Sequence, residues 1–498
     1  MAYPIEFAEQ NPWWTTDTWR KEDKHLQTFL ASAYQWDPRI KYFLDLTKDI
    51  VFTLRGPRQV GKTTLLKIMI AELIDKGTAP QNILYYACDL VDNPKELAGI
   101  IQRYVTTRRA REKKRLYVFM DEVSSVKGWQ KGVKFLSDKG VLTNTTLILS
   151  GSHSLDLRVS AEQLPGRRGE ATSTPDIIFL PMKFAEYAEV TDERMNALIK
   201  DLDILPKARR HEEILALSRG SISPTIEKLA FELPRTARLL DNYLVSGGIP
   251  RCVNEHLQTG KISESTYRTY VDVVKGDLMR YNKNENYLRQ ILDQLFQTLG
   301  TPVGWSTLKK GTDVASPNTV EDYALSLESS FVLSIFHRMN AMARRPEYAK
   351  GKKIVFGDPF FIHALHAWVL GKKPFEFTID CMKETTKKST LVEQVVGQHC
   401  IRLAYSFASQ KQLFDPKTQV MFWRSREERE IDFVVLTNSN MISLEVKHQD
   451  EITRADFYAL ADFRKLTNTR GGIILSKDRL EARNGYSIVP ASTFLLLI

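Results

Sequence analysis

Cysteine pairs, long apolar runs and a leader-like start are all missing from this chain of 498 residues. The four cysteines lie far apart, with no CxxC pair and no spacing that suits zinc. We therefore expect a reducing cytosol and neither a disulfide framework nor a sulfur-based metal site. No run approaches the roughly 18 apolar residues of a membrane span, and the first residues contain neither a basic stretch nor an apolar one. The sequence thus predicts a soluble, cytoplasmic protein with no membrane partner.

Acidic residues are in the minority, 60 against 70 lysines and arginines, and the net charge is +10. This balance favours a polyanionic partner, and we expect DNA contacted through its backbone, although a basic protein need have no such partner. A hydrophobic content of 43% indicates folded structure throughout. Because the chain is too long for a single core, we expect roughly three domains.

The feature with the clearest chemistry is a GxxxxGK[ST] loop near the start of the chain. It follows a strand predicted at 50–54 and precedes residues with helical apolar spacing, so it must lead from a strand into a helix N-terminus. There the glycines let the main chain approach a phosphate, Lys62 would reach the β- and γ-oxygens, and the Thr63 hydroxyl would bind Mg²⁺. This context argues against a chance match and predicts ATP and Mg²⁺ as cofactors. The predicted nucleotide-binding residues of the loop are Gly56, Pro57, Arg58, Gln59, Val60, Gly61, Lys62, Thr63 and Thr64.

A strand at 116–120 ends in Asp121 and Glu122. The aspartate would be a metal ligand in the Mg²⁺ shell, and the glutamate would be the catalytic base that orients and deprotonates the attacking water. Two solvated acids at a strand end are the alternative. With further strands at 82–87 and 146–150, the pattern predicts a parallel sheet flanked by helices and a ligand at the carboxyl ends of its strands. After the last strand, Ser150 or Ser152 would sense the γ-phosphate.

Several short motifs resemble the prokaryotic AAA-type P-loop ATPases that carry a C-terminal domain of unknown function. They are Asn11-Pro12-Trp13-Trp14, the run from Asp121 to Trp129, Leu164-Pro165-Gly166-Arg167, the stretch 179–187 and Gly247-Gly248-Ile249-Pro250. The resemblance covers most of the chain. It implies that Arg167 or Arg168 acts as an arginine finger on the nucleotide of a neighbouring subunit in a homo-oligomer. A surface loop with two exposed arginines is the alternative.

Between about 305 and 356 the order helix, turn, helix, strand, wing, strand predicts a winged-helix-like segment. Its second helix, capped by Ser316, has no lysine or arginine and is a poor reader of the DNA major groove. The connection between the two strands is basic and would track a phosphate backbone without reading sequence, unless it is a solvated loop. Its residues are Arg338, Arg344, Arg345, Lys350, Lys352 and Lys353, and a second basic run lies at 108–115.

Two apolar strands joined by a polar turn predict a β-hairpin in the last third of the chain. If Leu436 pairs with Met441, Asp432 falls opposite Glu445, and the two-residue period of a strand puts Lys447 on the same face. Opposed carboxylates about 5 Å apart repel. A divalent cation bound by both would remove that conflict and activate water beside the lysine. We therefore predict Asp432 and Glu445 as metal ligands.

This pattern resembles the PD-(D/E)XK nucleases. The resemblance implies catalytic roles for Asp432 as the first acid, for Glu445 and Lys447 as the ExK pair, and for Glu393 on the preceding helix as a further acid. Ile431 stands where that family often has proline. The alternative is a salt-bridged hairpin in which Lys447 and Arg429 or Arg424 neutralise the acids and the fold only binds a partner.

Together these patterns predict a multidomain α/β protein. Its parts are an N-terminal helical segment at 1–46, an AAA-type P-loop ATPase domain with a helical lid at 47–235, a helical and winged-helix-like domain at 236–370, and a restriction-endonuclease-like α/β domain at 371–498. We expect ATP hydrolysis, with the nucleotide state gating a Mg²⁺-dependent nuclease that acts on DNA. The runner-up is a nucleotide-switched scaffold or signalling ATPase whose C-terminal domain binds a protein or nucleic acid without cutting it. A helicase-like translocase finds less support because the chain has one phosphate loop and no paired helicase motifs.

Overall fold

The computed structural model describes residues 5–152, 175–279, 282–408, 414–438 and 440–498. These residues form two compact units. The first reaches to Leu180 and includes 329–331, and the second consists of 181–328 and 332–498. Each unit is built around one β-sheet.

The first unit contains five strands, each rich in buried residues. They are β1 (Val51–Arg55), β2 (Ile83–Ala87), β3 (Leu116–Asp121), β4 (Thr145–Gly151) and β5 (Asp176–Ile178). All pair in parallel, in the order β2-β3-β4-β1-β5. Nearly continuous apolar runs are typical of strands in a parallel sheet that is covered on both faces. The prediction of a P-loop-type parallel sheet flanked by helices is confirmed.

Helices α4 (Lys62–Asp75) and α5 (Pro94–Arg109) each begin at a recognisable start signal. Helix α4 starts directly after Gly61, and α5 starts where the Asn93 side chain accepts hydrogen bonds from the backbone N–H groups of Lys95 and Glu96. The helices of this unit are α1 (Ile5–Gln10), α2 (Trp19–Glu22), α3 (Lys24–Leu30), α4 (Lys62–Asp75), α5 (Pro94–Arg109) and α6 (Trp129–Asp138), with short 3₁₀ turns at Pro12–Trp14, Arg39–Phe43, Pro80–Asn82 and Val123–Ser125.

The N-terminal segment covers the open edge of β2. Asn11 is fully buried; its side-chain oxygen accepts from the Tyr85 N–H at 2.6 Å, and its amide donates to the Tyr85 carbonyl at 2.9 Å. The indole N–H groups of Trp13 and Trp14 both donate to the carbonyl of Ile83, at 3.3 and 2.9 Å. These side chains bond the backbone groups that β2, an edge strand, does not pair with a neighbouring strand.

Helices make up most of the first part of the second unit, and further helices lie among its later strands. They are α7 (Phe184–Thr191), α8 (Glu193–Asp201), α9 (Lys207–Leu217), α10 (Pro224–Phe231), α11 (Leu233–Ser246), α12 (Pro250–Thr259), α13 (Glu264–Met279), α14 (Glu285–Gln297), α15 (Trp305–Lys310), α16 (Pro317–Ser329), α17 (Pro359–Leu370), α18 (Pro374–Lys383), α19 (Thr385–Phe407), α20 (Pro416–Gln419), α21 (Tyr458–Thr467) and α22 (Ala491–Leu495), with a 3₁₀ turn at Arg454–Phe457. The Gly247-Gly248 turn before α12 is tightly packed, because a Cβ on Gly248 would lie 1.9 Å from the carbonyl oxygen of Met182.

The sheet of the second unit has eight strands. They are β6 (Leu333–Asn340), β7 (Arg345–Phe356), β8 (Val420–Arg424), β9 (Glu430–Leu436), β10 (Met441–Lys447), β11 (Gly472–Ser476), β12 (Glu481–Arg483) and β13 (Tyr486–Pro490). Their order is β12-β13-β11-β10-β9-β8-β6-β7, with antiparallel β8, β9 and β10 followed by parallel β11 and β13. Helix α19 packs against β7, β9 and β10. It comes close at Gly397, where a Cβ would lie 2.8 Å from the ring of Phe433.

The two strands expected to form a wing have a different place. Strands β6 and β7 form a long antiparallel hairpin at one edge of this sheet, and β6 is joined in parallel to β8 through Arg338 and Phe422. The predicted wing is therefore part of the same sheet as the C-terminal strands. Residue 370, the end of the predicted winged-helix-like domain, lies within the second unit. Among the helices of the described residues, none is both long and apolar enough to cross a membrane.

Candidate functional site

The phosphate-loop motif occupies the turn between β1 and α4. Gly61 adopts a left-handed conformation with φ of 98°, and Gln59 lies in the same region with φ of 61°. A Cβ on Gly56 would lie 1.9 Å from the carbonyl oxygen of Phe179. The motif needs its first glycine here because the chain following β5 passes this close.

Lys62 begins α4 and is buried, with 7% of its surface exposed. Its ammonium donates to the carbonyl oxygens of Gly56 and Pro57, at 2.9 and 2.8 Å. The side chain therefore folds back over its own loop.

Asp121 accepts hydrogen bonds from three hydroxyl groups on three different elements. Thr63 on α4 donates to Oδ2 at 2.7 Å, Tyr85 on β2 donates to Oδ2 at 2.9 Å, and Ser150 on β4 donates to Oδ1. The structure thus brings together the two residues predicted to bind Mg²⁺, Thr63 and Asp121. A hydroxyl and a carboxylate at this separation form an oxygen donor set that fits a magnesium ion.

Glu122 lies next to Asp121 in a left-handed conformation with φ of 51°. Its Oε1 accepts from the hydroxyls of Ser124 at 2.8 Å and of Ser152 at 2.6 Å, and Arg58 in turn donates to the Ser152 hydroxyl at 3.3 Å. Burial acts to raise the pKa of Glu122, but the charge of Lys62 and the two hydroxyl donors outweigh it and hold that pKa below its ordinary value. The carboxylate is therefore held ionised and oriented.

Both residues predicted to sense the γ-phosphate lie in this cluster, with different partners. Ser150 donates to Asp121, and its oxygen also accepts from the backbone N–H of Glu122 at 3.2 Å. Ser152 links Glu122 to Arg58 of the phosphate loop. Arg167 and Arg168, the predicted arginine fingers, lie outside the described residues, as does the Leu164-Pro165-Gly166-Arg167 motif.

Two residues at this site were missed by the sequence reasoning. Tyr85 bonds Asp121, and Lys67, one helical turn after Thr63, lies buried with its ammonium 3.9 Å from the ring centroid of Tyr85 and 4.9 Å from that of Trp13. Burial lowers the pKa of Lys67, although Asp23 lies 3.4 Å away. The Trp13-Trp14 motif was a signal for this packing, but nothing in the motif indicated that it packs beside Tyr85 on β2.

The second candidate site lies on the β9–β10 hairpin. Met441 pairs with Leu436 and Leu444 with Phe433, which is the predicted register. Beyond this pair, Asp432 and Glu445 are linked by hydrogen bonds from backbone N–H groups to their carboxylates. The backbone N–H of Val446 donates to Asp432 Oδ2 at 2.8 Å, and that of Asp432 donates to Glu445 Oε2 at 3.3 Å. The predicted juxtaposition of these two carboxylates is therefore present.

Around these acids the structure places a lysine that the sequence reasoning assigned to the wing. The ammonium of Lys353, fully buried, lies 2.6 Å from Asp432 Oδ1, 2.7 Å from Glu393 Oε1 and 3.0 Å from Glu430 Oε1. Lys447 pairs separately with Glu445 at 2.8 Å. We call these six side chains the carboxylate–lysine centre: Lys353, Glu393, Glu430, Asp432, Glu445 and Lys447.

The basic wing and the proposed neutralising arginines both need correction. Lys353 cannot face a phosphate backbone because it is enclosed by carboxylates. Arg429 pairs with Asp462 at 2.6 Å and makes no ion pair in the centre, whereas Arg424 reaches Glu430 only at 3.8 Å. Neutralisation of the acids, the alternative considered from sequence, comes mainly from a lysine that this alternative did not include.

Burial and repulsion among the carboxylates change their protonation. Burial raises the pKa of Glu445, and the neighbouring charge of Asp432 raises it further against the opposing effect of Lys447. Burial likewise raises the pKa of Glu393 more than Lys353 lowers it. For Lys353 burial acts in the lowering direction, yet Asp432, Glu393 and Glu430 together raise its pKa. The lysine is thus charged, and four acids share two ammonium groups.

With these contacts, the centre does not offer a divalent cation the predicted place. With Lys353 in place, the described residues contain no group of three or more Asp, Glu, His or Cys side chains that could hold one metal ion. The oxygens of Asp432 and Glu393 that would face a cation instead contact the ammonium of Lys353. The residues present at this centre therefore do not fit Mg²⁺, whereas those around Thr63 and Asp121 do.

A strand, a phosphate loop and a helix N-terminus, with an Asp-Glu pair at the end of another strand of the same parallel sheet, define a P-loop ATPase-type nucleotide site. Comparison with protein families agrees: residues 48–188 match the model of the AAA domain. This part of the chain is an AAA-type P-loop domain. Residues 237–374 and 388–494 match two domains of unknown function, DUF8612 and DUF4143.

Individual relatives are distant. An uncharacterized protein from Haemophilus influenzae is 29% identical over 145 residues, which is 28% of this chain and 33% of that protein. The match thus spans about a third of the length of the curated relative. Among solved structures, the Aeropyrum pernix ORC1 protein in complex with DNA has 12% identity and a TM-score of 0.29, covering 64% of this chain and 86% of its own. A Thermotoga maritima RuvB variant has 17% identity and a TM-score of 0.24, covering 58% and 82%. Scores this low support no further conclusion.

Proposed function

We propose that the first unit hydrolyses ATP. The observation that carries the proposal is the arrangement around Asp121, with Thr63 bonded to it and Glu122 held ionised beside it. The match of residues 48–188 to the AAA domain supports the same reaction class.

In this mechanism Lys62 and the backbone N–H groups of its loop bind the β- and γ-phosphates. Thr63 and Asp121 would hold Mg²⁺, which when bound supplies positive charge against the phosphate oxygens. Glu122 orients the attacking water and accepts its proton, and Ser152, bonded to both Glu122 and Arg58, positions that base relative to the loop.

A substitution of the base separates binding from hydrolysis. We expect Glu122→Gln to bind ATP with nearly wild-type affinity and to hydrolyse it about 100- to 1000-fold more slowly, because only proton acceptance is lost. Lys62→Ala should lose nucleotide binding itself. Binding is measured with a fluorescent ATP analogue and hydrolysis by phosphate release, with the exposed Asp138→Asn as control. Wild-type hydrolysis in Glu122→Gln would refute the assignment of the base.

We further propose that the C-terminal part of the chain acts as a nucleotide-switched binding module and does not cut DNA. The topology of β8 to β11 with α19 supports the predicted resemblance to the restriction-endonuclease fold, and the contacts of Lys353 oppose metal-dependent cleavage. A nucleic acid partner contacted through its backbone remains part of this proposal, supported by the net charge of +10. So does a homo-oligomer in which Arg167 or Arg168 acts on a neighbouring nucleotide.

The cutting and binding alternatives are distinguished by incubating linear and circular DNA with the protein and Mg²⁺ or Mn²⁺, with and without ATP. We expect the DNA to stay intact with the wild type and with Glu445→Ala alike. Cleavage by the wild type that Glu445→Ala abolishes would overturn the binding role and restore the nuclease hypothesis. Partner capture that depends on Lys62 would support the switch.

A further inference from the structure

The ammonium of Lys353 sits at the point where side chains from three elements converge. Strand β7 supplies the lysine, α19 supplies Glu393, and β9 supplies Glu430 and Asp432. The ammonium lies 2.6 to 3.0 Å from three carboxylate oxygens, donates hydrogen bonds to those of Asp432 and Glu430, and forms an ion pair with Glu393. The lysine is bound by this centre in the way that a cation is bound by a cluster of carboxylates.

The strand pattern of β7 explains why this lysine and not its neighbour enters the centre. Side chains alternate between the two faces of a strand. Lys352 accordingly lies on the other face, where its ammonium is 5.3 Å from the ring centroid of Trp305. Lys350, two residues further back, is exposed. Lys353 is thus directed inward by its place in the strand, and its aliphatic stem carries the charge into the sheet–helix interface.

A divalent cation and this ammonium cannot occupy the same place. Mg²⁺ needs carboxylate oxygens at about 2.0 to 2.1 Å, and the oxygens of Asp432 and Glu393 that such an ion would use already contact Lys353. Lys447 does not compete for this position because it pairs with Oε1 of Glu445. Arg424, a further cation near these acids, is 3.8 Å from Glu430.

We propose that Lys353 is a built-in cation that takes the place of the divalent metal in this nuclease-like centre. The wild-type centre then needs no metal, and its carboxylates form a latent metal site that becomes available only when the lysine is removed. The inference deepens the proposed non-cleaving role and rests on it, since a lysine in this place leaves no cation to activate water. Its function is to join β7, α19 and β9 without a dissociable ion.

Removing the lysine should expose the latent site. Mn²⁺ binding is followed by electron paramagnetic resonance in the full-length, nucleotide-free protein for four chains: wild type, Lys353→Met, Asp432→Asn, and the double variant. We expect the wild type and Asp432→Asn to bind Mn²⁺ equally, because any ion bound elsewhere is common to both. Lys353→Met should bind one further equivalent, and the double variant should bind that equivalent at least tenfold more weakly.

Two results would overturn the inference. One is that the wild type binds an equivalent of Mn²⁺ that Asp432→Asn does not bind. The metal would then share the centre with Lys353. The other is that Lys353→Met folds but binds no more Mn²⁺ than the double variant. The carboxylates would then form no metal site even without the lysine. Neither result depends on DNA cleavage, so the inference and the proposed non-cleaving role can fail separately.

The variant leaves uncompensated carboxylates, so its folding is tested in the same series. Lys353→Met combined with Glu430→Gln removes one of the unpaired negative charges and serves as the folded form if the single variant unfolds. We expect Mn²⁺ to raise the melting temperature of the lysine-free chains and to leave that of the wild type unchanged. Lys350→Met, an exposed lysine of the same strand, is the matched control and should show neither binding nor stabilisation. Equal shifts in all chains would count against the inference.

Discussion

At the scale of single residues, the nucleotide site depends on how Asp121 is oriented. Three hydroxyls from α4, β2 and β4 donate to its two oxygens, so the carboxylate is held in one orientation by groups that themselves sit on rigid elements. Such supporting hydrogen bonds affect metal affinity strongly even when the donor, as with Tyr85 and Ser150, is not itself a metal ligand. Tyr85 is the donor that no motif indicated.

Removing the Tyr85 hydroxyl tests this support. We expect Tyr85→Phe to raise the Mg²⁺ concentration needed for half-maximal ATP hydrolysis by about 10-fold, because Asp121 loses one of its orienting donors. The rate at saturating Mg²⁺ should change less. A Mg²⁺ titration of phosphate release measures both quantities. Tyr117→Phe, at the opposite end of the neighbouring strand β3, is the control, and an unchanged titration for Tyr85→Phe would contradict the supporting role.

At the scale of elements, the N-terminal segment completes the sheet of the first unit without being a strand. Asn11 mimics a strand residue by using its amide as donor and acceptor toward Tyr85, and both indoles of the Trp-Trp pair bond Ile83. An uncovered edge strand would expose its backbone groups to pairing with another chain. The segment therefore belongs to the folded sheet as much as its helices do.

Loss of the Asn11 amide should destabilise that edge. In Asn11→Ala the N–H of Tyr85 loses its buried acceptor, and we expect the free energy of unfolding to fall by about 1 to 3 kcal/mol. Chemical denaturation followed by tryptophan fluorescence measures the change. Thr15→Ala removes a hydroxyl that donates to the carbonyl of Pro12 in an exposed position, and it should cost much less. Equal stabilities of the two variants would show that Asn11 does not hold the edge.

Helices α7 and α19 are joined by a histidine that must be neutral. Nε2 of His399 accepts from the backbone N–H of Phe184 at 2.9 Å, while Nδ1 lies 2.8 Å from the carbonyl of Val395 and donates to it. Burial, assisted by the charge of Arg402, lowers the pKa of His399 well below its ordinary value of 6.5. Protonation would place an N–H against the first N–H of α7, so the contact holds only for the neutral ring.

This contact predicts a pH dependence of stability. The unfolded chain binds a proton on His399 near pH 6.5 and the folded chain does not. The contribution of this histidine to the free energy of unfolding is therefore complete above that pH and falls as the pH drops below it. The loss from this group is about 1.4 kcal/mol by pH 5.5. His399→Gln should therefore lose less stability between pH 7.5 and 5.5 than the wild type, as measured by denaturant titrations at each pH. If the free energy of unfolding changed with pH by the same amount in both proteins, His399 would not be the source of the pH dependence.

At the scale of the whole molecule, the two basic runs of the sequence differ in how many of their positive charges are paired with acids. Arg108 and Arg115 of one basic run are paired, with Glu112 at 2.6 Å and Asp49 at 2.8 Å, and so serve the first unit's own structure. The tip of the β6–β7 hairpin is different, because Arg344, Arg345 and Lys350 are exposed there beside Tyr348, which is 59% exposed. At this tip, residues of the predicted basic wing present positive charge and an aromatic ring to solvent.

Charge reversal at the tip tests whether it contacts nucleic acid. We expect Arg344→Glu combined with Arg345→Glu to weaken binding to a DNA duplex and to reduce the slope of log K against log salt by about 2, one for each phosphate that is no longer neutralised. Fluorescence anisotropy at several salt concentrations measures this slope. The same charge change at the exposed pair Lys372 and Lys373 is the control. Equal losses from both pairs would indicate an effect of net charge alone.

Sequence alone is sufficient for the features in which interacting residues are close in the chain or follow a short period. The phosphate loop, the Asp-Glu strand end and the β9–β10 register were predictable for this reason, since turn length and the two-residue period of strands place Asp432 opposite Glu445. What surrounds these features depends on tertiary folding. Lys353 lies 79 residues from Asp432 in the chain and Asn11 lies 74 residues from Tyr85. No local period connects such partners. Folding alone brings the lysine to the acids, and that placement changed a predicted metal site into an ionic centre with its own cation.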